Sequence, residues 1–258
     1  MSIRLKSKRE LEIMWEANQI VAKTHELLSK HVKAGVTTMK LDQLAHDYIE
    51  SQGATPSFLN YHGYPGSICA SINNKVVHGI PSEDQVIKDG DVVSLDIGAY
   101  YKGYHGDAAR SYAVGNASEE AKHLVEVTRQ SFFEGMKYAK PGCHLYEISA
   151  AIQNYVESNG YSIVRDLVGH GIGKELHEDP QIPNYKPMGR GPKLQVGMTL
   201  AIEPMVNVGR FDVRTLNDDW TVVTLDGSLS AHYENTIVIT ETGHELLTML
   251  QPEGDIDG

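Results

Sequence analysis

Two cysteines, Cys69 and Cys143, are all the thiols that 258 residues contain. With no CxxC pair they exclude a disulfide framework and a cysteine-held zinc, and they read as free thiols in a reducing compartment. Positive charge is also scarce. The 23 Lys and Arg stand against 34 Asp and Glu, and the formal charge of −11 repels phosphate backbones and anionic lipid. Nucleic acid and membranes are therefore excluded as first-choice partners. No run of eighteen apolar residues spans a bilayer, and the first twenty residues mix charges without an apolar signal core. A cytoplasmic location is expected. GxGxxG, Walker and GxSxG motifs are missing, and His177-Glu178 does not open an HExxH motif because Gln181 holds the fifth position. What remains is an enzyme-sized globular chain, 41% hydrophobic, long enough to bury a substantial core.

What is present is order that occurs twice. Ser7 and Glu10 make a capping box, and Leu11, Met14, Ala17, Ile20, Val21, Thr24 and Leu28 recur at helical spacing, predicting a helix up to Gly35. A second helix is predicted from Thr38 to a stop at Gly53, followed by strands near 67–72, 76–80, 92–99, 100–105 and 108–114. Helices near 118–139 and 144–158 then restart the order, with strands at 199–208, 220–225 and 232–240. One fixed offset lays Tyr48-Ile49-Glu50-Ser51-Gln52-Gly53 on Tyr155-Val156-Glu157-Ser158-Asn159-Gly160, Gly35 on Gly142 and Gly90 on Gly197. The strand acids Asp96 and Glu203 coincide at that same offset. The expected architecture is α+β: two pseudo-symmetric helix-helix-sheet halves, about 7–115 and 118–240, in one catalytic domain over 1–258.

An acid on an apolar strand is the anomaly, because an ionised carboxylate is expensive to bury without a counter-charge. A hairpin turning at 100–103 would place Asp107 across from Asp96, and His232-Tyr233-Glu234 echoes His105-Gly106-Asp107, so Glu203 and Glu234 form a matching pair. Solvent-facing edge charges or a proton-sharing dyad are the ordinary alternatives. A dyad leaves the second pair without a purpose. Four converging carboxylates repel unless protons or metals intervene, and two divalent cations would neutralise them. His170 sits in Val168-Gly169-His170-Gly171-Ile172-Gly173, on a backbone freed by glycines for close approach, with His177 following in Leu176-His177-Glu178 and His78 in Val77-His78-Gly79.

Asp96, Asp107 in HGD, His170 in GHGIG, Glu203 in IEP and Glu234 in HYEN follow the order and spacing of the type I methionine aminopeptidases, which the chain resembles over nearly its whole length. The resemblance implies the pita-bread fold around a central dinuclear metal site. It implies removal of the N-terminal initiator methionine from nascent proteins when the second residue is small, by a hydroxide bridging the metals. Asp96 would hold one metal, His170 and Glu203 the other, with Asp107 and Glu234 between them. Glu203 would shuttle the proton, His177 would bond the substrate carbonyl oxygen and His78 would contact the scissile nitrogen. The methionine pocket would be lined by Phe58, Tyr61, Tyr64, Cys69 and Trp220, with Leu176 where some relatives carry an aromatic residue.

The donor set suits iron(II), manganese(II), cobalt(II) or zinc(II). The partners implied are the N-termini of nascent polypeptides, with transient ribosome association and a monomeric state expected. The chain starts at its first core helix, and the short stretch between Glu203 and Glu234 leaves no space for a helical insertion, so the short bacterial form is expected. The stretch 171–197 is expected to be an ordered active-site loop. The competing readings are a proline-specific aminopeptidase or dipeptidase of the same fold and a non-catalytic pita-bread binding protein.

Overall fold

A computed structural model describes residues 3–250; the ends of the expected 1–258 domain lie outside the described residues. The helices are α1 (Lys8–Ser29), α2 (Thr38–Ser51), α3 (Glu119–Met136) and α4 (Leu145–Ser158). The strands of the first part are β1 (Thr55–Pro56), β2 (Ile68–Ile72), β3 (Lys75–Val77), β4 (Val92–Tyr101) and β5 (Tyr104–Ala113). The later strands are β6 (Ser162–Ile163), β7 (Gly169–Gly171), β8 (Glu178–Ile182), β9 (Thr199–Ile202), β10 (Met205–Asn207), β11 (Val213–Thr215), β12 (Val222–Thr224), β13 (Ser230–His232), β14 (Asn235–Ile239) and β15 (His244–Leu246).

The capping box that starts α1 is present: Ser7 Oγ accepts from Glu10 N, and Glu10 Oε2 accepts from Ser7 N at 2.8 Å. The helix ends at Ser29 rather than at Gly35. A turn follows, with Lys30 N donating to Leu27 O and Val32 N to Leu28 O, and the chain then pairs with a remote segment, Gly35 N donating to Ile87 O and Ile87 N donating to Val36 O. Buried Val21, Leu28, Leu41 and Ile49 of α1 and α2 pack on Leu95 and Ile97 of β4. Leu124, Phe132, Ile148 and Ile152 of α3 and α4 pack likewise on Leu200 and Ile202 of β9.

The duplication is geometrical. The offset that carries Tyr48 onto Tyr155 also carries α2 onto α4, β1 onto β6 and the first residue of β4 onto that of β9. Gly35 and Gly142 both have φ of 90°, and Gly90 and Gly197 have φ of 94° and 87°, a region that favours glycine. The bridge between Thr37 and Val86 recurs between His144 and Lys193.

The two central hairpins differ. Strands β4 and β5 pair without interruption and turn through Lys102 (φ 49°) and Gly103 (φ 92°), positive values typical of a two-residue type I′ turn. The turn centre is one residue later than the sequence predicts, so Asp107 pairs with Gly98 and Asp96 with Ala109. The two aspartates are diagonal neighbours, not opposite ones.

In the second half the predicted strand 199–208 is split into β9 and β10, and 232–240 into β13 and β14. Pro204 explains the split: its carbonyl accepts from Tyr233 N, but it has no N–H to return. Register is kept across the gap, from Asn235 against Ile202 to His232 against Met205, which sets Glu234 directly opposite Glu203. The stretch 171–197 is also less irregular than expected. It contains β8, the edge strand of the sheet β15-β14-β9-β7-β8, where Pro180 is tolerated.

Candidate metal centre and active site

The acids and His170 converge where the two hairpins meet. Asp107, His170 and Glu234 are buried, and one ligand atom from each lies within 4.8 Å of the others. His170 Nε2 is 3.9 Å from Asp107 Oδ2 and 3.7 Å from Glu203 Oε1. Asp96 and Asp107 lie diagonally across the β4–β5 ladder, Asp96 paired with Ala109 and Asp107 with Gly98. The GHG sequence has a steric reason. A Cβ at Gly169 would lie 2.4 Å from Ala201 O, and one at Gly171 2.1 Å from Asp179 O, so only glycine fits on either side of His170 between β9 and the start of β8.

These groups lack the partners that buried charges require. Asp96 Oδ1, Asp107 Oδ1 and Glu234 Oε1 are buried with no hydrogen-bond partner among the described residues. Burial pushes the Asp96 carboxyl up to about 7, against a lowering bond from Asp107. Asp107 is pushed well above its usual range by burial and then by Asp96 and Glu203; Glu203 by burial and Asp96; Glu234 by burial and then Asp107, Asp96 and Glu203. Burial and His177 lower His170 to about 3, which leaves it a neutral imidazole. A neutral histidine amid carboxyls that resist joint ionisation is a donor set that divalent cations fit.

A cavity of about 430 Å³ opens above this centre, lined among others by Phe58, Tyr61, Tyr64, Cys69, Leu176 and Trp220. All five expected pocket residues therefore reach one cavity. Gly98 makes room for the Phe58 ring, whose Cε1 would lie 2.8 Å from a Cβ there. The Tyr64 ring meets Trp220 edge-on at 5.2 Å, and its hydroxyl donates to Gly79 O at 2.9 Å. Leu176 is buried and adds an aliphatic wall.

His78 and His177 stand at the same cavity. His78 has φ of 57°, uncommon for a residue with a Cβ, and burial with nearby His177 lowers it to about 4, so it is neutral at pH 7. His177 Nδ1 is 2.7 Å from the Tyr61 hydroxyl, and its ring centroid is 4.3 Å from that of His170.

Three further histidines stand near the centre that the sequence does not single out. His62 lines the cavity, His105 Nδ1 bonds Ser57 Oγ at 2.9 Å, and buried His232 brings its unpartnered Nε2 to 3.7 Å from Glu203 Oε2. The ladder explains His232. Carried onto the second hairpin, the register that pairs Asp107 with Gly98 pairs His232 with Met205, so His232, not Glu234, stands where Asp107 does. The repeated HxD/HxE pattern is thus two positions out of structural register. His105 and His232 are the histidines of that repeated pattern, and a register comparison would have brought His232 to the centre; no local signal marks His62.

Comparison with known proteins agrees with this geometry. Residues 12–241 match the model of metallopeptidase family M24. The chain is 58% identical over 243 residues to methionine aminopeptidase 1 of Bacillus subtilis (strain 168), covering 94% of this chain and 98% of that one. Among solved structures, a methionine aminopeptidase of Thermotoga maritima superposes with a TM-score of 0.95 at 46% identity, covering 96% of this chain and 100% of the other. A prolidase of Pyrococcus furiosus shares the fold at a TM-score of 0.78 and 25% identity, covering 96% of this chain but 66% of the prolidase. The full-length agreement is with the methionine enzymes.

Proposed function

The chain belongs to metallopeptidase family M24 and has its pita-bread fold, and from that premise we propose that it removes the initiator methionine from nascent polypeptides whose second residue is small. The observation that carries the proposal is the set of unpartnered buried carboxylate oxygens beneath a cavity lined by aromatic rings and the Cys69 thiol, with ample room for a methionine side chain. We assign Asp96 to one divalent ion and His170 with Glu203 to a second, with Asp107 and Glu234 shared; iron(II), manganese(II), cobalt(II) and zinc(II) all suit these donors. When bound, such ions supply Lewis acidity and water activation at neutral pH.

The protein's own groups do the rest. Glu203, whose Oε1 lies 3.7 Å from His170 Nε2 at the edge of the cavity, takes a proton from the attacking water as a carboxylate and returns it to the departing amine. With Nδ1 engaged by the Tyr61 hydroxyl, His177 keeps Nε2 free to donate to the carbonyl oxygen as charge develops there. Neutral His78 faces the scissile nitrogen. The methionine thioether rests among Phe58, Tyr61, Tyr64, Cys69 and Trp220, where sulfur–aromatic contacts favour it. The second side chain points at the wall near His78 and 171–197, where a large group clashes.

No described helix is long and apolar enough to cross a membrane. The proposal extends to a monomer acting as one catalytic unit in the cytoplasm, meeting its substrates transiently at the ribosome. The test is cleavage of Met-Gly-Met-Met against Gly-Pro peptides by protein reconstituted anaerobically with each metal. The methionyl peptide should be cut and the prolyl one left intact. Preferential cutting of the prolyl peptide, or a kcat/KM for Met-Lys peptides within about threefold of Met-Ala peptides, would contradict the proposal.

A further inference from the structure

The segment before α1 holds a buried ion pair that the proposed chemistry leaves unused. Lys6 Nζ lies 2.7 Å from Glu178 Oε2, and the two side chains are only 4% and 8% exposed. Removing two charges from water is costly, and such a pair is weak evidence for stability alone. Its surroundings indicate what it holds. Glu178 Oε1 accepts from Lys174 N at 2.9 Å and Glu175 N at 3.4 Å, closing the turn 173–178 that carries Leu176 and His177. Gly173 O accepts from His105 N at 2.8 Å, fixing the other end of the turn to β5.

Lys6 is itself anchored, its N–H donating to Gly197 O at 2.7 Å. The turn is shaped around the pair. A Cβ at Gly173 would lie 2.4 Å from Lys6 Cε and 2.6 Å from Glu178 Oε1. His177 Nδ1 meets the Tyr61 hydroxyl at 2.7 Å, so its backbone is held by the turn and its ring by Tyr61.

We propose that Lys6, acting through Glu178, is a positioning residue for His177: the N-terminal segment straps the turn that aims the imidazole at the substrate carbonyl. This rests on the function proposed above. A hydrogen-bond donor in the transition state is effective only within a narrow range of positions, so loosening the turn should slow the chemical step more than it weakens binding.

The test is a double-mutant cycle of Lys6→Met and His177→Ala on a methionyl peptide, with hydrogen exchange of the metal-free protein beside it. Lys6→Met alone should lower kcat by about 10-fold to 100-fold with KM changed less than about threefold. In the His177→Ala background the same substitution should have almost no further effect. Exchange at Lys174 and Glu175 should quicken while α2 and α4 keep their protection. Gly173→Ala, which crowds both Lys6 and Glu178 Oε1 without removing either charge, should reproduce the effect, and it decides the matter if Lys6→Met does not fold.

Additive losses in the cycle, or unchanged exchange at 174–175, would overturn the proposal. Absence of any methionyl cleavage by the wild-type protein would instead overturn the functional reading, and the exchange result would still decide whether Lys6 holds the turn.

Discussion

The two halves of the molecule share a ladder but not their loops, and chemistry and specificity divide along that line. Asp96 on β4 and Glu203, just past the end of β9, occupy equivalent places in the two halves. Beyond them the match is lost: Gly90 N donates to Val114 O in one half, whereas Gly197 N reaches much further along the chain, to Ile239 O, in the other. The extra length enlarges the second hairpin, which holds β11 and β12, pairs with β3 and carries Trp220 to the cavity. The first half is longer elsewhere. The connection 57–67 between β1 and β2 exceeds its counterpart 164–168 between β6 and β7, and this excess holds Phe58, Tyr61, His62 and Tyr64. Matched structure thus positions Asp96 and Glu203, and the unmatched connections bring Phe58, Tyr61, Tyr64 and Trp220 to the pocket.

The largest loss should follow removal of an acid that the proposal assigns to both ions. Asp107→Ala and Glu234→Ala should each reduce turnover to less than about a tenth of wild type and lower metal content, with the circular dichroism spectrum unchanged. A well-folded variant with greater activity would separate the two halves functionally. His177 lies outside the matched ladder, so His177→Ala should lower kcat by about 10²–10³-fold while metal stoichiometry stays constant. Loss of metal in that variant would place His177 among the ligands.

The smallest effect should fall equally on both halves. Gly35→Ala and Gly142→Ala, each forced to φ of 90°, should cost about 1–2 kcal/mol apiece in chemical denaturation. Neither new Cβ would meet a neighbour closer than 3.8 Å, so the cost is one of backbone conformation. A large disparity between the two would mean that the duplication is one of appearance.

Much of this was legible in the sequence because repetition marks what both halves need. The match of 48–53 with 155–160 located the ends of α2 and α4, and the strand acids at the same offset led to the centre. The missed features depend on partners remote in sequence. The course of the chain after α1 is fixed by Ile87, which bonds Gly35 and Val36, and the diagonal placement of Asp96 and Asp107 by Lys102 accepting a positive φ in place of glycine. Strands β7 and β8 contain glycine and proline and show no alternation, so only their neighbours make them strands. His232 was hidden because a local motif aligned Glu234 with Asp107 where the ladder aligns His232.

The halves bring together carboxyls that do not all ionise without a metal, and thermal unfolding across pH reads this out. A carboxyl whose pKa is raised by folding gives stability that is full below its unfolded value and is lost as pH rises through the folded one. Asp96, at about 7, and Asp107, Glu203 and Glu234, raised in the same direction, therefore withdraw stability as pH rises from about 4 through their folded values, and the window to read is above about pH 6.5. The histidines lowered by burial work in the opposite sense, but chiefly below their unfolded values near 6.5. Chelated protein should lose unfolding temperature across this window while metal-loaded protein does not, and Glu234→Gln should flatten the chelated profile. Parallel profiles for chelated and loaded wild type would contradict the claim.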